Sequence, residues 1–428
     1  MIRLMRQAAV TILALGAMQQ GFAAAAEWSE YRGPGHDGIT AESVNAPWPS
    51  SGPKLLWKAP TPNGFSSFTV GGGAVYTQLG KEVGGDNREV CIALDAATGK
   101  ELWAVPVDRA EYQGGGDSGT PDNKGGDGPR STPTYSDGRV YVYTSDLVLG
   151  CLDAKTGKQV WGIDMIKEHA GKNVNWKNAA SPVIEGDLIY VAAGGAGQSL
   201  LAIDKKTGKV VWKTGDDKIT HATPVVATIL GEKQVIFFTQ KGLVSVTPDA
   251  GKELWRYPFR YSTSTAASPV VCGDIVYCSA GYDVGGGACK IAKSGNGFTA
   301  TEIWRTPGNK AVPNHWSTPV YKDGYLYGMF SFKRYGVGPL KCVEAASGKI
   351  MWEQKGFGAG QVILAGGKVL ALADDGELVV VDPDSSAYKE VSRFQAITGK
   401  CWSTPALSDG HIYVRSTKEG ACFDVSGK

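Results

Sequence analysis

The stretch "LDAATGKELW", residues 94–103, reads as the end of one strand, a tight turn and the start of the next. Near copies follow as "LDAKTGKQVW" (152–161), "IDKKTGKVVW" (203–212) and "VEAASGKIMW" (343–352). Aligning the chain on the terminal tryptophan gives Trp57, Trp103, Trp161, Trp212, Trp255, Trp304 and Trp352, in steps of 46, 58, 51, 43, 49 and 48 residues. A further step of 42 reaches Phe394, an aromatic residue expected at the equivalent place. A period near 50 residues fits one four-stranded propeller blade.

Each unit has a matching front half that opens on Ser/Thr-Pro. Examples are "STPTYSDGRVYVYT" (131–144), "SPVIEGDLIYVAA" (181–193), "SPVVCGDIVYCSA" (268–280), "STPVYKDGYLYGMF" (317–330) and "STPALSDGHIYVRS" (403–416). Alternating apolar residues around D-G or G-D predict a hairpin. A third strand, the TGK turn and a fourth strand ending in Trp complete four antiparallel strands. Asp95, Asp153 and Asp204 are placed to accept backbone N–H bonds from the turn. Gly99, Gly157 and Gly208 supply the positive φ of the reversal. The tryptophan is large and flat, and is expected to dock on the neighbouring blade.

The last unit, Ser403–Val425, supplies three strands. The fourth is expected from "GPKLLW" (52–57), near the other end of the chain. Such sharing joins the two ends in one blade and removes open sheet edges. The expectation is an all-β, eight-bladed propeller of antiparallel four-stranded blades, one domain over 27–428.

The chain starts with Arg3 and Arg6, an apolar run from Ala8 to about Met18, and small residues over Ala23–Ala26. This is the layout of a cleaved secretory signal over 1–26, so a periplasmic or secreted location is expected. The apolar run is short for a membrane span, and no lipid-anchor Cys follows it. The 42 acidic and 44 basic residues nearly cancel, without blocks of either sign. Nucleic acid is therefore not an expected partner, and a monomer is expected. The 58 glycines suit many tight turns.

The "LDAxTGKxxW" turn resembles the tryptophan-docking motif of quinoprotein dehydrogenases and of related PQQ-like propellers, including the outer-membrane lipoprotein of the β-barrel assembly machine. "WSEYRGPGHDGIT" (28–40) resembles a lead-in common among exported PQQ-like propellers. The resemblance covers essentially all of 27–428 and implies the fold more strongly than an activity. By resemblance, PQQ and Ca²⁺ are the implied cofactors of an enzyme reading. The chain departs from those enzymes: no two of its eight cysteines are adjacent, and it lacks a C-x-x-C-H haem site. It departs from the lipoprotein in lacking the lipidated Cys.

Cys151, Cys289, Cys342 and Cys422 are assigned one place in the third strand, where other units carry Ala93 and Ala202. Equivalent positions in different blades lie beyond disulfide reach, so buried free thiols are expected. Arg130, Asn178, His221, His315, Trp316 and Trp402 each stand just before a Ser/Thr-Pro inner strand. Those blade-to-blade loops open on one face of a propeller, so the six are candidate ligand-binding residues of a funnel. The alternative is that they only cap strands and plug the channel.

The longest irregular insertion, 108–130, reads as a solvated lid on that face. Its Asp117, Asp122 and Asp127 are weak Ca²⁺ candidates whose spacing matches no EF-hand. A second insertion, 163–178, is expected to form a helical turn beside it. With no recognisable reaction centre, the leading expectation is a non-catalytic module binding a protein partner or a polar ligand. A PQQ- and Ca²⁺-dependent oxidoreductase and a carbohydrate-binding propeller are the alternatives.

Overall fold

The computed structural model describes residues 27–112, 128–295, 297–330 and 338–427. The signal-peptide segment 1–26 and the candidates Asp117, Asp122 and Asp127 lie outside them. Eight sheets form, each built on four antiparallel strands. Blade 1 comprises Thr69–Gly71, Ala74–Val83, Asp86–Asp95 and Glu101–Arg109. The first strands of blades 2 to 8 are Thr134–Ser136, Val183–Glu185, Val225–Ile229, Val270–Cys272, Val320–Lys322, Gln361–Ala365 and Ala406–Ser408. First strands of neighbouring blades touch one another around most of the ring, so they line the axis. In blade 8, Lys54–Pro60 pairs antiparallel with Glu419–Asp424 and supplies the outer strand. No helix among the described residues is long and apolar enough to cross a membrane.

Six blades share a cross-strand triad. Tyr76, Ala93 and Trp103 lie opposite one another in blade 1, on strands two, three and four. Tyr141–Cys151–Trp161, Tyr190–Ala202–Trp212, Tyr327–Cys342–Trp352 and Tyr413–Cys422–Trp57 repeat the arrangement. The small middle residue lets the Tyr and Trp rings meet over it, with centroids 5.9–6.1 Å apart. Blade 5 corrects the sequence register. Ala288, not Cys289, lies between Tyr277 and Trp304, and Cys289 faces Glu302, because a long hairpin of Gly285–Ser294 and Gly297–Thr306 replaces the TGK turn there. All eight cysteines are buried and free.

Each docking tryptophan except Trp255 donates its indole N–H to a backbone carbonyl of the next blade. The acceptors are Ala96 for Trp57, Ala154 for Trp103, Lys205 for Trp161, Pro248 for Trp212, Ala345 for Trp304 and Asp384 for Trp352. Trp255 departs from this pattern and donates within its own blade, to Gln234 Oε1. There the tyrosine position is Ile236, opposite Ser245. The joint between blades 4 and 5 instead places the Arg305 guanidinium over Phe259 and Tyr257, at 4.4 and 5.4 Å.

Blade 7 brings a second correction. Ser392, not Phe394, stands at the tryptophan register, because the stretch from Asp382 to Ser392 is two residues longer than that from Asp95 to Trp103. Ser392 Oγ accepts from the Trp48 amide, and Trp48 packs edge-on against Phe394 at 5.4 Å. Phe394 still reaches the blade 8 turn, where it crowds Gly52 as the tryptophans crowd the TGK glycines.

The lead-in that sequence marked only as a family signature closes the axis. Trp28 bridges to Val70, Ser29 O accepts from Tyr135 N, and Glu30 Oε2 accepts from Ile184 N. Ile39–Thr40 adds parallel to Gln361–Ala365, and Glu42 Oε2 accepts from Gly410 N. A cavity of about 280 Å³ separates Gly35–Asp37 from the inner strands of blades 4 and 5. The segment lies at the hairpin-turn end, where Gly72 N donates to Glu27 and Gly366 N to Thr40 O. From it the Arg32 guanidinium extends inward to Thr318 O and Pro319 O, each at 2.9 Å.

Burial pushes the Glu30 carboxyl up to about 8 and the His36 imidazole down to about 4. Their 3.5 Å contact at neutral pH is therefore between an acid and an uncharged imidazole.

Candidate functional site

The Ser/Thr that opens an inner strand proves to be a latch at Ser67, Thr132, Ser181, Thr223 and Thr318. Its hydroxyl accepts an N–H from the start of the preceding blade's inner strand. Thr404 N donates to Ser67 Oγ (2.8 Å), Ser67 N to Thr132 Oγ1 (2.9 Å), Thr132 N to Ser181 Oγ (2.9 Å) and Ser181 N to Thr223 Oγ1 (2.9 Å). Ser268 N repeats the bond to Thr318 Oγ1 at 3.0 Å. Proline explains part of the pattern, since it removes a donor at a position without a ladder partner. These bonds tie five of the eight blade joints at the mouth of the channel, each contributing about 0.5–1.5 kcal/mol.

Blade 7 has no Ser/Thr-Pro, and Gln361 takes over. Its amide donates to Trp402 O at 3.1 Å and to Trp316 O at 3.3 Å. One side chain thus holds the loops on both sides of it. Trp316 is further fixed by its indole N–H, which donates to Ala359 O at 2.9 Å.

These bonds set six rings in a continuous arc across the mouth. Phe65 stacks on Trp402 with centroids 4.5 Å apart and planes at 21°. Trp402 meets Trp316 at 4.1 Å, and Trp316 meets His315 at 4.1 Å. His315 meets Tyr282 edge-on at 5.4 Å, and Tyr282 meets Trp176 at 6.0 Å. Phe65, Trp402 and His315 are buried, whereas Trp316, Tyr282 and Trp176 are half-buried. Lys400 Nζ lies 5.0 Å from the Trp402 centroid and 5.7 Å from that of Phe65.

The structure therefore brings His315, Trp316 and Trp402 into direct contact and gathers the other three candidates around 175–178. Arg130 Nη1 donates to Trp176 O at 2.9 Å, and its guanidinium lies 5.9 Å from the Tyr112 centroid. His221 Nε2 lies 2.8 Å from Asn175 O. Burial, and then the Arg130 charge, push His221 down to about 4, so it is neutral at ordinary pH. Asn178 is buried, and its amide is taken up by Thr144 O, Ala180 O and Ala180 N, which makes it a loop clamp.

The 163–178 insertion contains a short helix, Met165–His169, capped by Asp164. The described start of the long insertion is tied down through Tyr112, whose hydroxyl bonds Glu89. Burial pushes that carboxyl up to about 7.

Sequence reading missed three of the six rings. Phe65 precedes Ser66–Ser67, a degenerate Ser/Thr-Pro whose Ser67 still works as a latch. Trp176 stands two residues before Asn178 inside the insertion. Tyr282 sits in a loop that reads as a plain turn between strands two and three of blade 5.

The PQQ and Ca²⁺ implied by resemblance were tested against these residues. Trp316 and Trp402, the tryptophans of the candidate set, each already hold two ring partners at 4.1–4.5 Å and offer no free face to a flat quinone. Asn178 has spent its amide on backbone groups. Among the described residues, no three His, Cys, Asp or Glu side chains group as a metal would need. Trp316, Trp402 and Asn178 therefore do not fit that pair of cofactors.

Comparison with known proteins places the chain in its family. A sequence profile described as outer membrane protein assembly factor BamB matches residues 86–296, 299–389 and 337–426. The dehydrogenase subunit of a quinone alcohol dehydrogenase from Komagataeibacter europaeus is 36% identical over 139 residues, 30% of this chain. That match spans only 17% of the enzyme's length. Outer membrane protein assembly factor BamB from Shewanella oneidensis is 25% identical over 265 residues, 59% of this chain and 64% of that protein. Among solved structures, quinohemoprotein alcohol dehydrogenase from Comamonas testosteroni superposes with a TM-score of 0.64 at 15% identity, covering 94% of this chain and 81% of that one. At that identity the likeness speaks for the fold alone. With the profile matched over most of its length, on eight closed four-stranded blades, the chain belongs to the PQQ-like β-propeller family described as outer membrane protein assembly factor BamB.

Proposed function

We propose that this chain is an exported, non-catalytic binding module that engages a protein partner or a polar ligand through its funnel face. The observation that carries the reading is the aromatic arc from Phe65 to Trp176, held by Gln361 and the hydroxyl latches. A surface of rings already fixed by stacking and hydrogen bonds loses little side-chain freedom when it binds. The chain works as a monomer, since the ring closes on itself. Export is supported by the basic, apolar and small-residue stretches of 1–26, which put the mature protein in the periplasm or outside the cell.

The competing reading is a PQQ- and Ca²⁺-dependent oxidoreductase, favoured by the 36% identity to a quinone alcohol dehydrogenase subunit over part of the chain. Mixing purified protein with PQQ and Ca²⁺ separates the two. The binding-module reading expects no bound-quinone absorbance after gel filtration and no dye reduction with alcohols or sugars. A bound quinone together with substrate-dependent dye reduction overturns it.

A further inference from the structure

Trp176 and Lys177 are consecutive residues with φ of 67° and 64°, and Tyr282 and Asp283 are consecutive with φ of 52° and 63°. None is glycine. The left-handed region costs a side-chain-bearing residue about 1–2 kcal/mol, and a bulky residue there is an outlier. The two strained pairs come from different loops, after blade 2 and within blade 5, yet their aromatic rings meet at 6.0 Å. Strain of this kind persists where the surroundings over-determine the backbone, and it concentrates at ligand clamps. Neither turn needs these aromatics for its own geometry, since glycine would adopt both without cost.

The surroundings hold the two rings in place. Tyr282 is braced edge-on by His315, the end of the His315–Trp316–Trp402–Phe65 column. The backbone of Trp176 is pinned by Arg130. Both rings are only half-buried, so with Trp316 they are the part of the arc that a ligand reaches.

The polar groups beside the rings define the ligand's chemistry. Lys177 Nζ is paired with Asp146 at 2.9 Å. Asp283 Oδ1 accepts from Asn309 Nδ2 at 2.6 Å, and Asn309 Oδ1 accepts from Asp283 N at 2.9 Å. Arg130 lies over the Tyr112 ring. The two cations, Lys177 and Arg130, and the two carboxylates, Asp146 and Asp283, balance over the patch, so neither sign dominates and an uncharged ligand is favoured. What the patch presents is two rigid aromatic surfaces with both donors and acceptors at their edges.

A pyranose ring has the matching form, with an apolar C–H face to lie on an aromatic ring and a rim of hydroxyls that donate and accept. Aromatic walls with a few placed polar groups are the usual composition of a small-molecule site. We infer that Trp176 and Tyr282 form a glycan-binding clamp for a neutral pyranose ring, with Lys177, Asp146, Asp283 and Asn309 as the hydroxyl partners. This rests on the funnel-face reading above and names the ligand class of that face.

The test is calorimetric titration of the full mature protein with cellohexaose and with N-acetylchitohexaose. The comparison variants are Trp176→Gly, Tyr282→Gly and Leu102→Ala. The first two keep the left-handed backbone and are expected to fold; the third alters an exposed residue on the outer strand of blade 1. Saturable binding of at least one oligosaccharide is expected, weakened at least tenfold by either glycine variant and unchanged by Leu102→Ala. Binding of neither sugar, or equal binding by wild type and Trp176→Gly, overturns the glycan clamp. Should an envelope protein instead bind wild type and not Trp176→Gly, with both sugars inert, the clamp fails while the funnel-face reading stands.

Discussion

The Trp57 ring lies so close over Gly99 that a β-carbon added to the glycine would sit 2.6 Å from it. The same approach recurs for Trp103 on Gly157, Trp161 on Gly208, Trp212 on Gly251 and Trp304 on Gly348. The glycine of the TGK turn therefore meets two demands, positive φ and room for the neighbouring blade's indole. Gly138, in a hairpin turn, has φ of 72° but nothing within 4 Å of an added β-carbon. Gly138→Ala should destabilise by the conformational cost alone, about 1–2 kcal/mol. Gly99→Ala should cost a further 1–3 kcal/mol or so for overpacking. Urea unfolding of the two variants side by side checks this; equal losses would remove the docking role of the glycine.

Much of the ring was legible because this double demand leaves a written trace. Gly, Asp and Trp recur at fixed offsets, and hairpin turns separate alternating strands. The tyrosine of the Tyr–small–Trp triad was equally written but unnoticed, because Tyr in a strand has no fixed neighbour in sequence. Cys289 and Phe394 were misplaced because the turns between strands three and four differ in length in blades 5 and 7, while the β-bulge beside the tryptophan position is common to all blades. The plug was illegible for a different reason. Arg32, Glu30 and His36 look like an ordinary polar loop until folding carries them to the axis. The arc was half visible, since the loops before Ser/Thr-Pro could be found, while Tyr282 came from a hairpin on another level of the blade.

The seam between blades 8 and 1 depends on Arg415. Its buried guanidinium donates to Ser66 O, Gln78 O, Thr61 O, Gly64 O and Thr77 Oγ1. Burial pushes it down to about 9, so it stays charged at neutral pH. Its acceptors are carbonyls and one hydroxyl, on the linker that carries Phe65 and on the second strand of blade 1. Arg415→Ala would leave several buried acceptors without donors, each costing about 1–3 kcal/mol. A loss of more than about 3 kcal/mol is expected in equilibrium unfolding, along with a changed near-ultraviolet dichroism of the Phe65–Trp402 stack. An unchanged stack would separate the arginine from the site.

Glu30 and His36 give the plug opposite pH responses. The Glu30 carboxyl is raised from 4.5 to about 8 by burial, so its stabilising contribution is complete below pH 4.5 and is lost as pH rises towards 8. His36 is lowered from 6.5 to about 4, so its contribution is present above 6.5 and is lost as pH falls towards 4. Glu30→Gln should flatten the decline of stability between pH 5 and 8 while leaving the acid side in place. Melting temperatures across that range read it directly; parallel curves for wild type and variant would show that Glu30 does not titrate in the plug.

The cysteines should behave as small apolar residues. Burial raises every resolved thiol, Cys151 and Cys342 to about 11 and Cys289 and Cys422 to about 12. Thiolate is the reactive form, so the native protein should resist iodoacetamide at pH 8, and denatured protein should take up eight labels. Fewer than eight labels without reductant would reveal a disulfide.

Gln361 bonds the carbonyls of both central tryptophans. Gln361→Leu should preserve the fold, shift the near-ultraviolet signal of the stack and weaken any funnel ligand several-fold. The ligand that survives titration against wild type serves as the reporter, and unchanged affinity would show that the stack is held by packing alone.

The claim that the protein works through its funnel face is tested most directly by hydrogen exchange. Mature protein is compared alone and after incubation with an envelope extract of a Gram-negative bacterium. The account predicts new protection within 174–178, 281–284, 314–317 and 400–403, with the outer strands and the TGK turns unchanged. Protection confined to the outer strands or the TGK turns would contradict it.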